Sequence, residues 1–127
     1  MGDTLNEALV AIRNASKLGR EEVDVKASNL VGRVLKIFQK YGYIEEFEYE
    51  ENGRGGLFHV RISKTINNCG VIKPRFSIKK DEMEKWESRY LPAQDIGILV
   101  ITTTAGVVSN SEAKKKGIGG RALAFVY

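Results

Sequence analysis

Cysteine is nearly absent from this 127-residue chain: Cys69 stands alone, so no intramolecular disulfide can form. Histidine is as scarce, and one Cys with one His (Cys69 and His59) cannot assemble a Cys/His zinc site. No apolar run approaches the roughly 18 residues that suggest a membrane span. The start, Met1-Gly2-Asp3-Thr4, lacks the basic and then apolar segments of a secretory signal. Neither G-x-x-x-x-G-K-[ST] nor G-x-G-x-x-G occurs, which removes the usual nucleotide fingerprints. These absences lead to the expectation of a soluble cytoplasmic protein in reducing surroundings, with no metal, cofactor, membrane or small-molecule substrate.

What is present is an ordinary globular mixture, 43% hydrophobic and 28% charged, enough to bury one core or two small ones and too apolar for disorder. The formal charge of +4 is unevenly spread. Residues 1–66 hold ten Lys/Arg against ten Asp/Glu, whereas residues 67–127 hold ten against six. Because phosphate neutralisation supplies most sequence-independent affinity for nucleic acid, the second half is the better candidate for a polyanion-binding surface.

Periodicity divides the chain in the same place. Thr4 and Glu7 have capping-box spacing, and Leu5, Ala8, Leu9 and Ile12 form one helical stripe ending near 16–19. A short strand over 23–25 follows. Ser28 can cap a second helix whose stripe is Leu30, Val34, Ile37 or Phe38, and Tyr41, stopped by Gly42. From 44 to 50 the period becomes two, with Glu46, Glu48 and Glu50 on a face that should be solvated. The glycine-rich stretch 52–56 then turns into a strand over 57–62. Residues 1–66 therefore read as an αβαββ subdomain, with the seam in the polar stretch 64–70. Residues 67–127 read as a mostly β subdomain with short helices. It has a basic strand over 75–78, a helical turn with Met83, Trp86 and Tyr90 on one side, and a buried strand over 98–101. A helix starts at the Ser109/Glu112 box, and a final strand runs through Leu123, Phe125 and Tyr127. The fold class is α+β in two small subdomains.

The strongest local feature is a buried strand emptying into Thr102-Thr103-Thr104-Ala105-Gly106, just ahead of Ser109. Hydroxyls and free backbone N–H groups concentrated there can hold phosphate, ribose and base edges of RNA; equally, three threonines are β-formers at a strand end. Gly119-Gly120 beside Arg121 either lets backbone approach the same ligand or marks an ordinary turn. Lys73, Arg75, Lys79 and Lys80 form a basic patch broken by inward-looking Phe76 and Ile78, suited to phosphate or to plain solvation. Arg13, Asn14 and Lys17 lie off the apolar stripe of the first helix and can face RNA or water. Catalysis needs a base placed beside a nucleophile, and nothing in the spacing orients His59 toward Cys69. The carboxylates of 45–51 keep a strand edge soluble rather than gather around a metal.

Gly97-Ile98-Leu99-Val100-Ile101-Thr102-Thr103-Thr104-Ala105-Gly106-Val107-Val108, followed by Ser109, Glu112-Ala113 and Gly117-Ile118-Gly119-Gly120, resembles the signature of the family of the eighth protein of the small ribosomal subunit. The likeness runs along the chain, from a first helix ending in Ile12-Arg13-Asn14 to a second ending in Gly42-Tyr43-Ile44. Residues 72–76, the insertion-like 86–95 and the ending 124–127 are similar to the archaeal and eukaryotic branch. The resemblance implies a non-enzymatic constituent of the small ribosomal subunit that binds a helical element of the rRNA central domain and touches neighbouring ribosomal proteins. It implies primary contacts at Thr102, Thr103, Thr104, Gly106, Ser109, Gly119 and Gly120, with Arg121, Lys73 and Arg75 adding charge and Arg13, Asn14 and Ser28 contributing from the N-terminal half. Ala105 stands where the family's bacterial members usually carry lysine, Arg121 where they carry glutamate, and Asn29 where lysine is common. Arg121 is therefore expected to replace the cation missing at Ala105. The alternatives are a double-stranded RNA-binding regulator outside the ribosome and a small hydrolase using Cys69 or His59.

Overall fold

A computed structural model describes residues 4–73, 75–93 and 96–127. The chain forms two compact units, Met1–Gly70 and Val71–Tyr127. The division falls after Gly70, at the end of the stretch 64–70 that the sequence reading took as the seam and four residues past its subdomain bound at 66. Ile66 is buried, its carbonyl accepts from the Ser16 hydroxyl at 3.3 Å, and the Cys69 thiol donates to the Leu9 carbonyl at 3.4 Å. Those contacts keep residues 66–69 with the first unit.

In the first unit, α1 (Thr4–Lys17) buries Leu5, Ala8, Leu9, Ile12 and Ala15. Thr4 is already helical rather than the cap, and the residues before it lie outside those described. Strand β1 (Glu22–Lys26) leads to Ser28, whose hydroxyl accepts from the Val31 N–H at 3.1 Å and starts α2 (Asn29–Lys40). The buried residues of α2 are Val31, Val34, Leu35, Ile37 and Phe38, which include Val34, Ile37 and Phe38 of the expected stripe. Leu30 and Tyr41, at the two ends of the expected stripe, are only half-buried, and Val31 and Leu35 widen the buried face instead.

Strands β2 (Ile44–Glu50) and β3 (Leu57–Ile62) form a hairpin, and β1 pairs antiparallel with β3 on its other side, giving the order β1-β3-β2. Val25, Val60, Ile62 and Ile44 are buried on the helix side. A register shift between Ile44 and Glu46 puts Phe47 and Tyr49 on that side too, opposite Val60 and Phe58.

Strand β4 (Cys69–Val71) runs across the division; with β6 (Ile98–Thr103), β7 (Gly106–Ser109) and β8 (Gly120–Val126) of the second unit the sheet order is β4-β8-β6-β7, and β5 (Ser77–Ile78) also pairs β8. Between β5 and β6 lie a 3-10 turn over Lys80–Glu82 and α3 (Met83–Tyr90); α4 (Asn110–Lys116) follows β7. Met83, Trp86, Leu99, Ile101, Val108 and Ala122 make the core. Phe76, Trp86, Tyr90, Phe125 and Tyr127 stack in a continuous row against it, with ring centroids 4.6 to 6.5 Å apart. The expected contact side of α3 is thus an aromatic one.

Candidate nucleic-acid interface

The expected five-residue hydroxyl loop is mostly strand. Thr102 pairs with Val107 and Thr103 with Gly106, so β6 runs through two of the three threonines and only Thr104 and Ala105 turn. The β-branched side chains suit the pleat, and Gly106, at φ +103°, takes the backbone angle that a side chain would resist. β7 itself went unrecognised in the sequence, because four residues ahead of a capped helix carry almost no periodicity. The Thr103 hydroxyl donates to the Gly106 carbonyl at 2.9 Å and accepts from the Ala105 N–H at 3.0 Å. It therefore shapes the turn. The Thr104 side chain and the Ala105 backbone are exposed at its tip.

β8 places the glycines and Arg121 beside this hairpin. Gly120 pairs with Ile78 on β5, and a Cβ there would lie 2.2 Å from the Thr102 carbonyl oxygen. A Cβ at Gly119 would lie 2.3 Å from the Ile78 carbonyl oxygen. Both positions are glycine because two neighbouring backbones leave no room, independently of any ligand. Arg121 is opposite Thr102 on one side and Ser77 on the other. Ser77, Arg121, Thr102 and Val107 consequently form one row across four strands on a single face. Arg121 and Ser77 are exposed, and among the described residues no carboxylate pairs with Arg121. Ser77 was missed as a candidate, although Arg75-Phe76-Ser77-Ile78 alternates outward and inward and signals its exposure.

The remaining candidates divide. Lys73 and Arg75 are exposed on the segment joining β4 and β5, with Pro74 between them outside the described residues. That segment is held along β8 by bonds from the Ile72 N–H to the Leu123 carbonyl (2.9 Å) and from the Ala122 N–H to the Phe76 carbonyl (3.0 Å). Ser109 sits at the other end of β7, fully buried, its hydroxyl accepting from the Glu112 N–H at 3.2 Å as the cap of α4. It starts the helix and has no surface from which to touch a ligand. Arg13, Asn14 and Ser28 belong to the first unit. Arg13 is half-buried with its Nε lacking a hydrogen-bond partner, Asn14 is exposed, and the Ser28 hydroxyl is engaged in its cap.

Cys69 is wholly buried and burial pushes its thiol up to about 12, so the nucleophilic thiolate is suppressed. His59 is exposed on the outer face of β3, its Nδ1 2.5 Å from Asp24 Oδ1 and its Nε2 bonded to Glu50. Those carboxylates, through their hydrogen bonds, raise its pKa above 6.5. Held on both ring nitrogens by acids, it serves as a cation in an ionic row. The glutamates of β2 likewise face not only water but the cations of β3: Glu46 is 3.3 Å from Arg61, which also meets Glu22 at 3.2 Å.

A protein-family model described as Ribosomal protein S8 matches residues 3–127. Curated relatives described as small ribosomal subunit protein uS8 come from archaeal sources. That of Thermoplasma volcanium is 57% identical over 126 residues, covering 98% of each chain. Those of Picrophilus torridus (56%) and Archaeoglobus fulgidus (52%) match over the same share.

Proposed function

The chain belongs to the ribosomal protein S8 family, and from that premise we propose that the row of exposed Ser77 and Arg121 with half-buried Thr102, together with the Thr104-Ala105 turn, is its main rRNA-binding surface. As a family member it is a structural, non-enzymatic constituent of the small ribosomal subunit in the cytoplasm, with rRNA and other ribosomal proteins as partners. Beyond that, its RNA target is a helical element of the central domain, which it holds early enough to help assembly. The observation that carries this reading is the juxtaposition of an unpaired guanidinium with hydroxyls on one sheet face, beside a hairpin tip at which Thr104 and Ala105 are exposed.

Hydroxyls and backbone groups are the fitting tools for a helical RNA, whose shallow minor groove displays 2′-hydroxyls and phosphates rather than a readable major groove. Arg121, Lys73 and Arg75 would then add the salt-dependent share of affinity. Gly119 and Gly120 serve by letting β8 lie against β5 and β6 so that Arg121 is in register with both. Secondary contacts fall to Arg13 and Asn14 on the first unit. Filter binding of the intact protein to a central-domain rRNA fragment tests the reading: tight, salt-dependent binding that Arg121→Ala and Thr104→Ala each weaken supports it. Equal affinity for unrelated duplex RNA, together with loss from small subunits sedimented in high salt, would point instead to a regulator acting outside the ribosome.

A further inference from the structure

The first unit is electrostatically two-sided, which its balanced charge count conceals. Helices α1 and α2 carry Arg13, Lys17, Arg33, Lys36 and Lys40 against the single acid Glu7. They cover one face of the β1-β3-β2 sheet; the other face, apart from half-buried Leu57 at one end, presents charged side chains. Register puts Glu22 and Asp24 of β1, and Glu46, Glu48 and Glu50 of β2, on either side of His59 and Arg61 of β3. The central cations are already engaged: Arg61 with Glu22 and Glu46, His59 with Asp24 and Glu50. Glu48, directly opposite His59, is exposed and has no cationic partner among the described residues. A shallow depression of about 190 Å³ lined by Glu22, Glu46, Glu48, His59 and Arg61 opens there.

We propose that this outer sheet face docks an extended lysine- and arginine-rich segment of another protein. Five carboxylates against Arg61, His59 and Lys26 leave it negative on a chain whose formal charge is +4, so it repels phosphate and attracts only a partner of opposite sign. Antiparallel strands with long acidic side chains suit an extended basic chain running along the strands. The depression at Glu48 receives one cationic head. The face is separate from the Arg121 row, which lies in the other unit, so this docking can fail while rRNA binding holds, and the reverse.

The test uses the full-length protein and a fluorescein-labelled decalysine peptide, by anisotropy at low ionic strength where surface charges are least screened. Binding should occur despite the net positive charge of the protein. It should weaken about tenfold in Glu48→Lys, and less in Glu48→Gln, because a like charge then faces the peptide. Affinity for the central-domain rRNA fragment should be unchanged in both variants. Glu48→Gln removes a charge from an unpaired exposed position and keeps the experiment readable if the lysine variant folds poorly. Peptide binding that neither substitution alters would overturn the proposal. So would an increase in rRNA affinity on charge reversal, since the face would then lie against RNA.

Discussion

Arg121 on β8 lies directly opposite Thr102 on β6, with Ser77 of β5 flanking it on the other side. The cation and the first threonine of the signature are therefore neighbours on one sheet face, although eighteen residues of hairpin and helix separate them in the chain. Arg121→Ala should lower the magnitude of the salt slope of rRNA binding by about 0.7 to 0.9, the value for one lost phosphate contact. Stability should change by less than about 0.5 kcal/mol, because the side chain is exposed. Ala105→Lys in the Arg121→Ala background should restore the slope if Arg121 supplies the charge that Ala105 lacks. A slope unmoved by either change removes Arg121 from the interface.

The threonines should separate by role. Thr103→Ala loses the bonds that its hydroxyl makes to the Gly106 carbonyl and the Ala105 N–H and should destabilise the second unit by about 1 kcal/mol. Thr104→Ala, at the exposed tip, should leave the melting temperature unchanged and weaken rRNA binding. Chemical denaturation beside filter binding on the two single variants resolves this. If the Thr104 variant bound rRNA as well as the parent, recognition would rest on backbone and charge alone.

Long amphipathic segments were readable from the residues alone. Leu5, Ala8, Leu9 and Ile12 define α1 because four buried positions at helical spacing outweigh any local ambiguity, and Ser28 and Ser109 announce helices by a side-chain bond that depends only on local geometry. Thr102 and Thr103 were harder. A hydroxyl-bearing β-branched residue fits a loop or a strand, and the pairing with Val107 and Gly106 that decides the matter lies across a two-residue turn. The candidate site was half legible for the same reason: Arg121 could be singled out by charge, but its neighbour Ser77 is fixed by strand register. Ser109 stood out by spacing, yet spacing carries no information about its complete burial. The two-sidedness of the first unit was hidden because a count over 1–66 adds helix cations to sheet carboxylates.

Gly120 and Gly119 should tolerate no side chain. With the Thr102 carbonyl oxygen 2.2 Å from a Cβ at 120, and the Ile78 carbonyl oxygen 2.3 Å from one at 119, either strand must move for alanine to fit. Each Gly→Ala substitution should cost about 3 kcal/mol and reduce rRNA binding through loss of the β5-β8-β6 register. Circular dichroism melts would show the destabilisation. A variant of full stability and impaired binding would instead mean that these glycines meet the ligand themselves.

His59 should make the first unit sensitive to pH in one direction. Its bonds to Asp24 and Glu50 raise its pKa above the ordinary 6.5, so the folded state holds the proton more tightly than the unfolded chain. The stabilisation is therefore complete below about 6.5 and is lost as pH rises through the higher folded-state value. In the His59→Gln variant only the uncharged amide NH2 can donate to a carboxylate, and the charged pair is gone. The difference in urea midpoint between parent and variant should be largest near pH 6 and shrink as the pH is raised, by less at high salt because the pairs are exposed. Alkylation of Cys69 supplies an internal control: a buried thiol held near 12 reacts only when the unit opens, so its labelling rate should rise with pH faster in the parent than thiolate chemistry alone predicts. A midpoint difference that stayed constant across this range would show that the ring merely fills space between the two acids.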